Sequence, residues 1–205
     1  LEATRKPFDE RRMRDAQIDD IARAVGINRA IIYRHFTTKE ELFAMTLVEY
    51  LTELEVRLSE VGKSGKPPTE RLLAITDEFF IYGAKYPAFV DCAQSLLRQR
   101  GSELLQQISV ERLPELGEVT TRCFARVTAA IIEGNENGTF DVEDPELVTN
   151  IMYTQGLGVL NLVTFQLSIR ELNSGLPTMD HLPMPDVVKV AQRAILGMLM
   201  PNDKA

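Results

Sequence analysis

The sequence contains few of the residues from which catalytic and metal sites are usually built. It has two cysteines and two histidines in 205 residues, and their positions lack the spacing of a zinc site. A Glu-x-x-His pair, which a di-metal helical bundle needs, is absent, and so is a glycine-rich loop that could hold a phosphate. We therefore expect that the protein is not an enzyme and that it holds no metal and no cofactor.

Long apolar runs are also missing. No stretch approaches the length of about 20 apolar residues that a bilayer-crossing helix needs, and there is no charged and then apolar leader with a cleavage site. We therefore expect a cytoplasmic protein without membrane contact. In that reducing compartment, Cys92 and Cys123 are expected to be unpaired buried thiols.

What the sequence does contain is ordinary for a globular protein, but its charge is unevenly distributed. Hydrophobic residues make up 44% and charged residues 26% of the chain, whose net charge is −7. The first 45 residues hold nine basic and eight acidic residues, a net charge of +1, and the remainder carries −8. A mildly basic head on an acidic body suits a protein that touches DNA with one end only.

Residues 17 to 43 predict a helix-turn-helix followed by the start of a third helix. The first helix has apolar residues at helical spacing: Ile18, Ile21, Ala22 and Val25. Gly26 supplies the turn, because only glycine adopts a positive φ without penalty, and Asn28 is a good N-cap for the next helix. The second helix runs over residues 29–36 and buries Ile32 and Phe36. Its outward face is the kind of surface that enters a DNA major groove.

Four groups of residues in this stretch follow one another at a distinctive spacing: Ile21-Ala22, Gly26-Ile27, Tyr33-Arg34-His35-Phe36 and Lys39-Glu40. In type, order and spacing they resemble the signature of the TetR family of transcriptional regulators. The resemblance covers residues 15 to 45 and implies a dimeric DNA-binding protein, by family habit a repressor. Pro7 and Arg12 depart from the family pattern, which has an aliphatic residue and a glycine there, within a helix predicted over residues 1–13.

The residues expected to contact DNA lie in or near the helix-turn-helix: Gln17, Asn28, Arg29, Ala30, Ile31, Tyr33, Arg34, His35 and Lys39. Arg29 can pair two donors with guanine O6 and N7, or else contact a phosphate or water. Ala30 and Ile31 are small or apolar on an exposed face, where contact with thymine methyl groups would explain them. Most of these residues should position the protein on a double-stranded, pseudo-palindromic operator, and a few should specify its sequence.

Several of these contacts have alternatives. The family resemblance implies that Tyr33 bonds a phosphate, although a core position would also suit it. Arg34 and His35 can each reach phosphate or base, and His35 can instead be a packed ring bonded to the backbone. Lys39 lies in the first turn of the third helix, where the dipole disfavours a cation, so a phosphate partner would explain it. Gln17 takes the family's usual threonine position and could donate to phosphate.

Every later segment is helical in pattern, so the predicted fold class is all-α. Apolar periodicity predicts further helices over 39–60, 69–86, 89–97, 103–113, 115–136, 146–169 and 187–200. Helix starts are predicted at a capping box, either Thr38 with Glu41 or Thr37 with Glu40, and at Asp144-Pro145. Helix ends or connections are predicted at a linker over 62–68, at Pro87, at a stop over 135–138 and at a loop over 173–185. Pro114 either kinks one helix or separates two.

We expect two domains, a three-helix DNA-binding domain at 1–45 and a helical effector-binding and dimerisation domain at 46–205. The helices at about 146–169 and 187–200 are too hydrophobic all round for the surface of a monomer. They also carry small residues that would allow close helix approach: Gly156, Gly158, Ala191, Ala194 and Gly197. We therefore expect a homodimer through a four-helix bundle of these helices, the alternative being a buried central helix in a monomeric bundle.

The body of the protein, from residue 69 to 170, is expected to bind a small-molecule effector. The candidate residues supply apolar walls with a few polar tips: Phe79, Tyr82, Tyr86, Phe89, Phe124, Met152, Tyr153, Gln155 and Phe165. Core packing is the alternative role for each of them. A ligand that fits only one arrangement of two DNA-binding heads would shift the DNA-binding population.

Three functions compete at this point. The first is a dimeric DNA-binding transcriptional regulator, most simply a repressor released by a small apolar or amphipathic molecule. The second is an enzyme on a helical bundle, against which the missing metal and phosphate motifs argue. The third is a helical protein-interaction module that does not bind DNA.

Overall fold

A computed structural model describes residues 28–63, 65–165 and 182–201, with the backbone alone described at Arg29, Ile31 and Phe165. Regular structure within these ranges consists of eight helices: α1 (Arg29–His35), α2 (Lys39–Val61), α3 (Pro68–Lys85), α4 (Pro87–Leu97), α5 (Gly101–Gln107), α6 (Leu113–Glu136), α7 (Pro145–Phe165) and α8 (Met184–Leu199). The all-α fold class is confirmed.

Some predicted elements lie outside the described residues. These are the helix over 1–13 with Pro7 and Arg12, the first helix of the helix-turn-helix with Gly26, the predicted continuation of α7 to residue 169, and most of the loop at 173–185. The remaining helix ends agree with prediction to within a few residues in most cases, because proline, glycine and capping residues mark them locally.

One predicted helix is wrong. The helix expected over 103–113 ends at Gln107, and Ile108 is extended with its side chain buried. A turn follows, in which the backbone N–H of Arg112 donates to the carbonyl of Ser109 over 2.9 Å. Pro114 is the second residue of α6, where a missing backbone donor costs little. The stretch therefore forms two helices in succession.

The chain divides into two compact units, of which the first contains residues 1–56 and 86–123. Its described core is built on α2, where residues 41–48 are all buried. The Tyr50 ring lies 6.0 Å from that of Tyr86 and 6.2 Å from that of Phe89, between ring centroids. Cys92 and Cys123 are both buried thiols that form no disulfide, as predicted.

The second unit contains residues 57–85 and 124–205. Within it α3, α7 and α8 all contact one another. The buried residues of its core cluster are Leu72, Ala130, Ile131, Phe140, Val142, Met152, Ile195 and Leu199. The predicted division at residue 45 falls inside α2 and stays a prediction.

The close approach of α3 and α7 depends on two glycines. A Cβ atom placed on Gly156 would lie 2.8 Å from Cε1 of Phe79, and one placed on Gly83 would overlap the Leu160 side chain. Gly156 was expected to serve contact between subunits, but it packs against its own chain. Gly158 and Gly197 have open space where a Cβ would point.

The described part of the chain holds no helix that is both long and apolar enough to cross a lipid bilayer.

Candidate functional site

The helix α1 is short, and local interactions set both of its ends. The Asn28 side chain accepts a hydrogen bond from the backbone N–H of Ala30 over 2.9 Å, which confirms the predicted N-cap. At the other end the backbone N–H of Phe36 donates to the carbonyl of Ile32. Ile32 and Phe36 are buried, as predicted, so that one face of α1 is held against the protein.

The opposite face of α1 is open to solvent. Ala30, Arg34 and His35 are exposed, and the Tyr33 side chain is 42% exposed, so Tyr33 is not a core residue. An exposed His35 likewise does not fit the alternative of a packed ring. Four predicted DNA-contacting residues are thus exposed on α1, with Ala30 and Arg34 opposite the buried face and Tyr33 and His35 to either side of them, which leaves a surface that can enter a groove. Gln17 and the side chains of Arg29 and Ile31 lie outside the described residues.

The start of α2 follows directly on α1. The hydroxyl of Thr38 accepts a hydrogen bond from the backbone N–H of Glu41 over 3.0 Å, as the first of the two predicted capping boxes requires. The Glu41 carboxylate reaches back to the backbone N–H of Thr37, one residue beyond the expected donor. Lys39 is half-buried in the first turn, with its ammonium 5.1 Å from the centre of the Phe43 ring. That contact gives Lys39 a partner within the protein that sequence reasoning missed.

Glu41 has a larger role than the predicted cap. Its side chain is 2% exposed. One carboxylate oxygen accepts from the Thr37 N–H at 2.6 Å and the Thr37 hydroxyl at 2.8 Å. The other accepts from the Ser109 N–H at 3.2 Å and from the Ser109 hydroxyl. Burial raises the pKa of Glu41, but the hydrogen bonds from Ser109 and Thr37 outweigh burial and hold its pKa below the usual value.

Three of the predicted ligand-contacting residues come together in the second unit. The Tyr153 ring lies 5.1 Å from that of Phe124 and 6.2 Å from that of Phe79, between ring centroids. All three side chains are only half-buried. We name Phe79, Phe124 and Tyr153 the aromatic trio. It joins three helices of the unit, since Phe79 belongs to α3, Phe124 to α6 and Tyr153 to α7.

The other ligand candidates are dispersed. Tyr86 and Phe89 belong to the first unit, where both rings pack near Tyr50. Tyr82 is fully buried under the Arg57 guanidinium, and Met152 is part of the core cluster. Gln155 is exposed, and the Phe165 side chain lies outside the described residues. For Tyr82 and Met152, the packing observed matches the alternative of a core residue.

A capped helix with one buried and one exposed face, followed by a helical body, is the arrangement expected of the DNA-facing helix of a helix-turn-helix transcriptional regulator.

Comparison with known proteins narrows the class. Residues 1–45 match the family profile described as bacterial regulatory proteins of the tetR family. The chain is 31% identical over 150 residues to the HTH-type transcriptional regulator BetI of Serratia proteamaculans, covering 65% of this chain and 75% of BetI. The chain belongs to the TetR family and is a DNA-binding transcriptional regulator, not an enzyme.

Two further similarities agree with this family. The HTH-type transcriptional repressor KstR2 of Rhodococcus jostii is 28% identical over 134 residues, which span 65% of this chain and 62% of KstR2. The transcriptional regulator FadR of Bacillus subtilis, solved in complex with stearoyl-CoA, has the same fold with a TM-score of 0.65. At 16% identity, covering 96% of each chain, the FadR structure supports the fold alone.

Proposed function

We propose that this regulator is a homodimeric repressor that a small apolar or amphipathic molecule releases from its operator. The observation that carries the proposal is that Ala30, Tyr33, Arg34 and His35 are all exposed on α1, a helix that Asn28 caps and whose other face is buried. Repression is the activity named for the relative KstR2. Operator DNA of a bacterium lies in the cytoplasm, and we place the protein there.

In the proposed complex, α1 enters the major groove of one half-site of a pseudo-palindromic operator. Arg29, Ala30 and Ile31, at the start of the helix, face base edges. Tyr33 and Arg34 are assigned to phosphates, with Asn28, His35, Gln17 and Lys39 as further contacts: each has a hydrogen-bonding group that can donate to a phosphate oxygen. The Lys39 ammonium, which lies 5.1 Å from the centre of the Phe43 ring, is proposed to do so as well.

The aromatic trio is the proposed contact for the effector. Its half-buried rings offer an apolar wall, and the Tyr153 hydroxyl offers a polar tip, which suits an amphipathic molecule. The FadR structure binds such a molecule, an acyl-CoA. The binding domain is proposed to extend over residues 46–205, with 1–45 as the DNA-binding domain.

A homodimer through α7 and α8 is supported by the exposed apolar side chains of these helices. Leu162 on α7 is 41% exposed and Val190 on α8 is 66% exposed. Leu147, Ile151 and Gly158 continue the exposed stripe of α7 at helical spacing. Several exposed apolar side chains on two helices that contact each other are more consistent with a subunit interface than with a monomer surface.

The direct test is binding of the purified protein to DNA from its own upstream region, with competitor DNA present. We expect specific binding that weakens steeply as salt concentration rises, because phosphate contacts release counterions. Stearoyl-CoA and shorter acyl-CoAs would then be added to the complex. Release by one of these probes, lost on Tyr153→Ala, supports the effector assignment, whereas specific binding that none of them changes contradicts it.

A further inference from the structure

The turn between α5 and α6 is bonded to the junction between α1 and α2. The Glu41 carboxylate accepts from Ser109 through both the backbone N–H and the hydroxyl, over a sequence separation of 68 residues. A second tether runs beside it, because the Thr38 hydroxyl donates to the Gln107 carbonyl over 2.5 Å. Both tethers lie in the first unit.

The two oxygens of the Glu41 carboxylate together accept all four hydrogen bonds that Thr37 and Ser109 donate to it. Four donors converge on it, and each oxygen takes two of them, one backbone N–H and one hydroxyl. A hydroxyl can turn and accept instead, but a backbone N–H cannot. A glutamine at this position would have a single acceptor oxygen. It could therefore accept from the backbone N–H of Thr37 or from that of Ser109, but not from both.

We propose that Glu41 is a positioning residue for operator recognition. It fixes Thr37, two residues beyond the end of α1, to the turn at Ser109, and thereby sets the angle at which α1 meets DNA. Since the Glu41 side chain is buried and each of its oxygens already accepts two hydrogen bonds within the protein, Glu41 itself touches no DNA. The inference rests on α1 as the helix that meets DNA, as proposed above.

The test compares three variants with the wild type by fluorescence anisotropy, on the operator fragment and on a random-sequence fragment of equal length. Glu41→Gln and Ser109→Ala are expected to weaken operator binding roughly tenfold, since each removes at least one charge-assisted hydrogen bond that holds the angle of α1. Binding to random DNA should not change, because the phosphate-contacting side chains are intact. Ser109→Thr keeps both donors and should bind the operator as the wild type does.

Glu40→Gln is the matched control, because it removes the same charge from the same helical turn. If Glu41→Gln binds the operator as tightly as Glu40→Gln does, the inference is wrong. It is also wrong if Glu41→Gln lowers the affinity for operator and for random DNA equally. If Glu41→Gln does not fold by circular dichroism, Ser109→Ala decides alone, since it leaves the carboxylate with three donors. A wild type that lacks specific binding would overturn the proposed function and this inference with it.

Discussion

The residues that join the end of α1 to the turn at Ser109 are small polar groups around one buried carboxylate. Glu41 lies between Thr37 and Ser109, and no cation is among the partners that lower its pKa. Hydrogen bonds from backbone and hydroxyl donors therefore keep it charged in a buried site. Such a group links the stability of the protein to pH.

The first prediction concerns that link. Because the pKa of Glu41 is lower in the folded state than the value of about 4.3 expected when unfolded, its contribution to stability is present above that pH and is lost as pH falls through the folded pKa. The difference in unfolding free energy between the wild type and Glu41→Gln should be full at pH 7 and should shrink below pH 4.3. Urea unfolding at several pH values measures it, and a difference independent of pH would contradict the assignment.

Gly156 gives a second prediction at this scale. An added Cβ would lie 2.8 Å from the Phe79 ring, closer than packed atoms allow. Gly156→Ala should therefore lower the unfolding free energy by about 1–3 kcal/mol through overpacking. The control is Gly117→Ala in α6, where a Cβ meets open space; it should raise stability by about 0.5–1 kcal/mol through helix propensity. Equal effects of the two substitutions in chemical denaturation would show that the α3–α7 contact adapts easily.

At the scale of helices, a feature could be predicted from the sequence when the residues that produce it lie close to it along the chain. The cap at Asn28, the buried pair Ile32 and Phe36, and the helix start at Pro145 have causes within four residues, and all were predicted. The end of α5 at Gln107 was not, because the groups that bond this stretch lie far away in the sequence: Thr38 donates to the Gln107 carbonyl and Glu41 accepts from Ser109. The same holds for Gly156, whose partner Phe79 belongs to another helix.

The candidate ligand site shows the same limit. Aromatic residues could be chosen from the sequence, but the sequence does not tell which of them form the aromatic trio, which pack near Tyr50 in the first unit and which belong to the core. That sorting depends on which helices pack together, and α3, α6 and α7 meet only in the folded unit.

The third prediction belongs to α1 as an element. Arg34 is exposed on the outer face of α1 and is assigned to a phosphate. Arg34→Ala should weaken binding to operator and to random DNA alike, and should reduce the slope of log affinity against log salt by about 1. Lys85→Ala is the control, since Lys85 is an exposed cation at the end of α3. An unchanged slope with Arg34→Ala would remove Arg34 from the phosphate contacts.

At the scale of the whole molecule, the proposed operator recognition requires two subunits. In the proposed dimer, each subunit reads one half-site, and the dimer gains affinity because the second half-site is bound at high effective concentration. The acidic body, with a net charge of −8 beyond residue 45, should keep the remainder of the protein away from DNA.

The fourth prediction tests the dimer. Leu162→Glu and Val190→Glu place a charge on the exposed apolar face of α7 and α8, which is costly only if that face is buried between subunits. We expect monomers by sedimentation velocity and an operator affinity lowered by roughly a hundredfold. The matched control is Ile132→Glu, on an exposed apolar residue of α6. If all three variants have the same mass and the same affinity as the wild type, α7 and α8 do not form the interface.

The measurement that tests the central claim most directly is operator binding by the double variant Arg29→Ala, Tyr33→Phe, paired with sedimentation velocity on the same sample. These changes remove a proposed base contact and a proposed phosphate contact from α1 without altering its buried face. We expect the double variant to lose specific DNA binding and to remain a dimer. A double variant that still binds the operator as tightly as the wild type would contradict the claim that α1 reads DNA.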